Sequence, residues 1–190
     1  TSHIWKVKLI KIAFFIDTDP LSGGGHLHRS ISLASEFSAR GCKIAIVTSH
    51  GINNYWNKNL LSKFQIHERF TKTNYDLLVL DNYKLKNEDY QFFRRYARRT
   101  LVLDDLCNRK IDCDFIWDPT ITHNLSDYEG LVPDTCKLFL GGEYQIFTDD
   151  HIDFALKLKR RKINDYNHIH LYHGYTNTFP LTDIEKYFAA

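Results

Sequence analysis

Methionine is absent from this chain of 190 residues, and cysteine and proline number only four each. The cysteines, Cys42, Cys107, Cys113 and Cys136, are scattered, and no two of them stand as C-x-x-C. That spacing argues against a zinc site and against a dense disulfide framework. Reduced thiols in a cytoplasmic protein are the simplest account. No charged-then-apolar leader pattern opens the sequence and no apolar run is long enough to span a bilayer, so no membrane partner is expected. Neither sign of charge dominates, with 25 Lys and Arg against 23 Asp and Glu. The basic clusters at Arg94-Arg95, Arg98-Arg99 and Lys157 to Lys162 read as solvated helix faces, so nucleic acid is not an expected partner. The dinucleotide fingerprint G-x-G-x-x-G is missing, and no Walker loop is present. What remains is a globular composition, 43% hydrophobic and 25% charged, with 13 Phe and 11 Tyr. The length suits one domain, or one domain and the start of another.

The stretch from Lys11 to Gly41 organises the chain. An apolar strand, Lys11 to Ile16, ends at Asp17. Then come Ser22-Gly23-Gly24-Gly25-His26 and an amphipathic helix whose Leu27, Ile31, Ala34 and Phe37 share one face. Gly41 closes that helix. Consecutive glycines at a helix N-terminus let backbone N–H groups approach a ligand in a field that favours anions. His26 stands at that helix mouth, where its ring is available for proton transfer.

Further apolar runs follow at Lys43–Thr48, Asp76–Asp81, Thr100–Asp105, Phe115–Asp118 and Lys137–Leu140. A loop is expected from His50 to Asn57 and a short helix around Leu60 to Phe64. A helix from a cap at Asn87 through Arg98 carries acids in its first turn and arginines in its last part, as the helix dipole prefers. Alternating strands and helices with short connections predict an α/β fold with a largely parallel sheet. Asp17, Asp81, Asp104, Asp105 and Asp118 all end apolar runs, so they share one sheet edge, where ligands bind in such folds. Some of them are expected only to cap helices or start turns. A basic amphipathic helix is read at His151 to Lys162, with Ile152, Ala155, Leu156 and Leu158 on its buried face. A linker and another strand follow it. His168 and His170 share a strand face but lack further ligands, so neither a metal nor a cofactor is expected.

Several segments in order carry a family resemblance: Gly23-Gly24-Gly25-His26-Leu27-His28-Arg29, Asp81-Asn82-Tyr83, and Asp104-Asp105-Leu106 followed by Cys113-Asp114. Tyr128, Leu131-Val132-Pro133 and Gly141-Gly142-Glu143-Tyr144 extend the set. Together they resemble the nucleotide-sugar hydrolases of pseudaminic acid biosynthesis, which remove UDP from a 2,4-diacetamido-2,4,6-trideoxyhexose. The resemblance implies a two-domain GT-B architecture. Residues 1–158 would form its N-terminal, Rossmann-like half, and residues 159–190 a linker and the beginning of an incomplete second domain. It further implies that His26 activates a water which attacks the anomeric carbon with inversion, releasing UDP. Tyr83 would help to hold the sugar, with Asp17, Gly23, Gly24, Gly25, Arg29, Asp104 and Asp105 in the same crevice. The UDP-sugar is the implied partner, and activity is expected to need the second, nucleotide-gripping domain.

The sequence departs from that family at three places. Phe15 stands where an arginine is usual, Thr148 stands at another arginine position, and His173-Gly174-Tyr175-Thr176 replaces Gly-Gly-x-Asp. A GT-B glycosyltransferase, in which His26 serves an acceptor hydroxyl, is the alternative enzyme reading. A non-catalytic sugar-nucleotide-binding or scaffolding domain is the alternative of another class.

Overall fold

The computed structural model describes residues 9–22, 24–50, 62–70, 74–147 and 149–157. The chain divides into two compact units, Thr1–Thr148 and Asp149–Ala190. In the first, seven described strands form a single sheet: β1 (Lys11–Ile16), β2 (Lys43–Thr48), β3 (Ile66–His67), β4 (Leu77–Asp81), β5 (Thr100–Leu103), β6 (Phe115–Asp118) and β7 (Lys137–Leu140). Their spatial order is β3-β2-β1-β4-β5-β6-β7, and every neighbouring pair is parallel. The fold is α/β and Rossmann-like, as the alternating pattern predicts.

Strand alternation divides the core into two layers. Ile12, Phe14 and Ile16 of β1, with Ile46, Val79, Leu101, Leu103 and Trp117, face Leu27, Ile31 and Ala34 of helix α1 (Gly25–Ala39). Ala13, Leu78, Leu80, Val102 and Ile116 turn the other way, toward Tyr90 and Phe93 of α2 (Asn87–Phe93) and toward Tyr128. With both faces covered, the strands read as nearly unbroken apolar runs. Phe15, at the position where the resembled family carries an arginine, packs its ring 4.9 Å from Phe93 and 5.8 Å from Phe70. It brings an aromatic surface to the α2 layer and no charge to the sheet edge.

Several expectations need correction. The α2 helix ends at Phe93, not Arg98, and its N-cap is Lys86, not Asn87. Arg94 turns to ion pairs with Asp112 and Asp114, and Arg99 joins Asp114, so these arginines bind the β5–β6 connection instead of lining a helix end. A tight turn, Tyr96 N–H to Phe93 C=O, leads the chain toward β5. The runs expected at Asp76–Asp81 and Thr100–Asp105 contract to β4 and β5; Asp76 and Asp104 lie just outside the strands, although the Asp76 N–H donates to the Lys11 carbonyl and the Asp104 N–H to that of Trp117. Two-residue β3 has no apolar run to announce it. Residues 51–61, which hold most of the expected loop and short helix, lie outside the described residues.

In the second unit, α3 (Asp149–Lys157) forms where the basic helix was expected, two residues earlier at its start. Ile152, Ala155 and Leu156 were expected on a buried face and are exposed. Leu158 and the linker and strand expected beyond it lie outside the described residues. Among the described residues no helix is long and apolar enough to cross a membrane.

Gly41 ends α1 with φ of +84°, a left-handed conformation that L side chains adopt with strain. A Cβ placed there meets nothing within 4 Å, so the cost of a side chain is purely conformational. Gly41→Ala should lower the unfolding free energy by about 1 kcal/mol, as read from urea denaturation, with the native spectrum unchanged.

Candidate functional site at the β1–β4 switch point

Strand β1 is flanked by β2 on one side and by β4 on the other, so the direction of winding reverses between β1 and β4. In open parallel sheets the crevice outside such a reversal is where ligands bind. Ile16 and Asp81 are register partners at this point, and the Asp17 N–H donates to the Asp81 carbonyl at 2.9 Å. The N-terminus of α1 comes to the same place. Its His26, Arg29 and Ser30 are spaced i, i+3 and i+4, hence on one face over the end of β4.

All three of those side chains converge on the buried carboxylate of Asp81. Oδ1 accepts from His26 Nδ1 and from Arg29 Nη2, each at 2.5 Å. Oδ2 accepts from Arg29 Nε at 2.9 Å and from Ser30 Oγ at 2.8 Å. Arg29 is therefore a two-pronged partner of Asp81, and its remaining Nη1 donates to Asp105 Oδ2 at 2.9 Å. Burial alone would raise the Asp81 carboxyl, but the hydrogen bonds from Arg29 and His26 outweigh it and hold the group below its ordinary value. Burial likewise opposes the charge of Arg29, and the hydrogen bond and charge of Asp81 reverse the effect. The pair is charged and nearly dry.

An ionised Asp81 can only accept, so the hydrogen of the His26 ring resides on Nδ1. In the neutral ring the lone pair is then on Nε2, which takes no hydrogen bond among the described residues. This is a geometry that could serve an oriented base: a carboxylate fixes the tautomer, and the opposite nitrogen is left open. The Tyr83 ring lies edge-on to the imidazole, with centroids 4.4 Å apart. Its hydroxyl donates to Asp105, and the guanidinium carbons of Arg29 and Arg109 stand 5.3 and 5.6 Å from its ring centre. Burial and the Asp105 hydrogen bond raise the Tyr83 phenol, against the pull of Arg29, so it is a neutral donor.

The structure thus brings His26, Arg29, Tyr83 and Asp105 together around Asp81. Asp17 adjoins them but is turned inward. Its Oδ1 accepts from Asp19 N–H and Ser49 Oγ, and its Oδ2 from Ser22 Oγ. Burial would raise its carboxyl, and these donors with Lys84 lower it instead. Asp17 builds the turn beneath the glycine loop. Asp104 is equally enclosed, held by Arg109 at 2.7 Å and by the Cys107 N–H at 3.1 Å. It reaches the His26 cluster only through Arg109, whose guanidinium faces Tyr83. Gly23 lies outside the described residues. Gly24 caps α1 in an ordinary helical conformation, and a Cβ on the exposed Gly25 meets nothing within 4 Å. Neither packing nor backbone strain calls for glycine at position 25.

The sequence marks Asp81 only as one of several strand-end acids and gives no role to Ser30 or Arg109. A signal for the first two was present: Ser30 falls on the apolar stripe of α1 between Leu27 and Ile31, where a polar side chain needs a buried partner. Arg109 gives no such signal, since it comes from an irregular loop. A surface cavity of 180 Å³ near Lys110, Ile111 and Pro133 shares no lining residue with this crevice. The switch-point cluster is marked by its chemistry and topology.

No protein-family profile matches the chain. It is similar to the UDP-2,4-diacetamido-2,4,6-trideoxy-beta-L-altropyranose hydrolase of Campylobacter jejuni, with 21% identity over 157 residues. The matched part covers 80% of this chain and 57% of that relative, so the chain spans little more than half of the relative's length.

Removing the charge of Asp81 leaves Arg29 buried without its counter-ion. Asp81→Asn should therefore cost about 3 kcal/mol of stability near neutral pH, read from denaturant unfolding. The folded Asp81 carboxyl lies below its ordinary value of 3.8. Its stabilisation is then fully present above that value and is lost as pH falls through the lowered one. The gap between the two proteins should close on acidification into that range.

Proposed function

We propose that this chain is the catalytic, sugar-facing half of a nucleotide-sugar hydrolase that releases UDP from a 2,4-diacetamido-2,4,6-trideoxyhexose. The observation that carries the reading is the His26–Asp81 pair at the switch point, with Nε2 open and a glycine-lined helix N-terminus beside it. The similarity to the Campylobacter jejuni hydrolase supports the same substrate class.

In this reading Nε2 of His26 takes a proton from a water as the water oxygen bonds to the anomeric carbon. The bond from that carbon to the UDP oxygen breaks, and UDP leaves with the electron pair. Asp81 keeps the ring in its productive tautomer and faces the positive charge that grows on it. Tyr83 offers its ring edge and a neutral hydroxyl to the sugar. The free backbone at Gly25 meets the anionic end of the substrate. Arg29 is occupied by two carboxylates, so the diphosphate needs cations or amides from elsewhere. A second, GT-B-type domain would supply them, and the whole enzyme's activity belongs to a chain that carries one.

The test is UDP release from UDP-2,4-diacetamido-trideoxyhexoses by this chain and by a longer chain bearing a complete second domain. The longer chain should release UDP, and His26→Ala should reduce its kcat by about 10²- to 10⁴-fold. Gly25→Ala should keep the fold's stability, since alanine suits a helix at least as well, while raising KM. Transfer of the sugar to an acceptor without hydrolysis would favour a glycosyltransferase. Absence of both turnover and binding would favour a non-catalytic domain.

A further inference from the structure

Beyond the β1–β4 crevice, a second group of side chains gathers at the end of β6. Asp118 ends that strand, His123 lies five residues on, and Cys107 comes from the loop after β5. His123 Nδ1 is 2.7 Å from Asp118 Oδ2, Cys107 Sγ is 3.3 Å from the same nitrogen, and Sγ is 3.6 Å from the same oxygen. We propose that Cys107, Asp118 and His123 bind one divalent transition-metal cation of the zinc class.

Three observations carry this. First, Asp118 is fully buried, and among the described residues its sole ion-pair partner is His123. Its Oδ1 accepts from the Thr120 N–H at 2.9 Å, so Oδ2 is the oxygen turned toward Cys107 and His123. Oδ2 is approached by three donors, from His123, from Cys107 and, at 2.9 Å, from the Tyr128 hydroxyl. Second, thiol, imidazole and carboxylate are the ligand types that zinc accepts. With bonds of about 2.3 Å to sulfur and 2.0 Å to nitrogen or oxygen, tetrahedral ligand atoms stand about 3.3–3.6 Å apart. The two distances to sulfur already fit, and the His123–Asp118 hydrogen bond has only to open by roughly half an ångström. Third, the arrangement is wrong for a nucleophilic triad. Cys107 and Asp118 approach the same ring nitrogen, whereas a triad needs one on each.

The ring of His123 is partly exposed, which gives a cation an entry path and a water the fourth position. Binding replaces the Cys107 thiol proton with the metal and releases that proton to solvent, while the ring hydrogen of His123 leaves Nδ1 to the metal and is carried on Nε2. In the chain the three ligands stand at 107, 118 and 123, so no compact motif announces them. The spacing that argued against zinc excluded only paired cysteines.

The experiment is a titration of the purified chain with Co²⁺, followed by displacement with Zn²⁺. One equivalent should produce a sulfur-to-cobalt charge-transfer band that Zn²⁺ bleaches. Cys107→Ser and His123→Gln should each abolish the band and weaken Zn²⁺ binding by about tenfold or more, with circular dichroism reporting that the metal-free variants are folded. The second variant serves if the first fails to fold. Cys113 and Cys136, whose sulfurs lie 3.6 Å apart, are the competing thiols, and their double replacement by serine should leave the band intact. No band at stoichiometric metal overturns the proposal, and so does a band that survives Cys107→Ser or disappears with Cys113 and Cys136.

Discussion

A carboxylate sealed from water has to be matched by donors, and Asp81 is matched entirely from the first turns of one helix. His26, Arg29 and Ser30 present four donor contacts to its two oxygens. This fixes more than charge. It pins the N-terminus of α1 to the end of β4, across a gap of more than fifty residues in sequence, at the point where the winding of the sheet reverses. The apolar contacts of Leu27, Ile31 and Ala34 with β1 hold the helix against the sheet. The Asp81 contacts set how far along the sheet it sits.

The same interaction determines what His26 can do. Because the carboxylate is ionised, the ring hydrogen is held on Nδ1 and the other nitrogen is left basic. Arg29 keeps the carboxylate ionised and so acts on the histidine through Asp81. Asp105 and Tyr83 extend the cluster outward, where an aromatic edge and a neutral hydroxyl suit a sugar better than they suit a phosphate. The charges of Arg29 and of the Asp81 and Asp105 carboxylates are spent largely on one another.

Much of this was legible in the sequence. Unbroken apolar runs such as Leu77–Leu80 and Thr100–Leu103 belong to strands covered on both faces, and they announced a parallel sheet. Gly41 announced the end of α1. The convergence of Asp81, Asp104, Asp105 and Asp118 on one edge followed from strand polarity alone. What sequence could not say is which carboxylate faces a ligand and which is consumed by its own loop. Asp17 and Asp105 look alike as strand-end acids, yet Asp17 is closed off by Ser22, Ser49 and Asp19, while Asp105 meets Arg29 and Tyr83. That distinction depends on residues up to 76 positions apart. The early end of α2 was hidden for a similar reason: Arg94 and Arg99 suit a helix terminus, but Asp112 and Asp114 claim them from another connection.

The central claim is that Asp81 holds His26 in the tautomer that leaves Nε2 free to accept a proton. It is tested most directly by nitrogen-15 NMR of the imidazole, with the His26 signals assigned by their loss in His26→Gln. At neutral pH the account predicts a protonated-type shift at Nδ1 and an unprotonated-type shift at Nε2. The reverse pattern, with the hydrogen on Nε2, would contradict it.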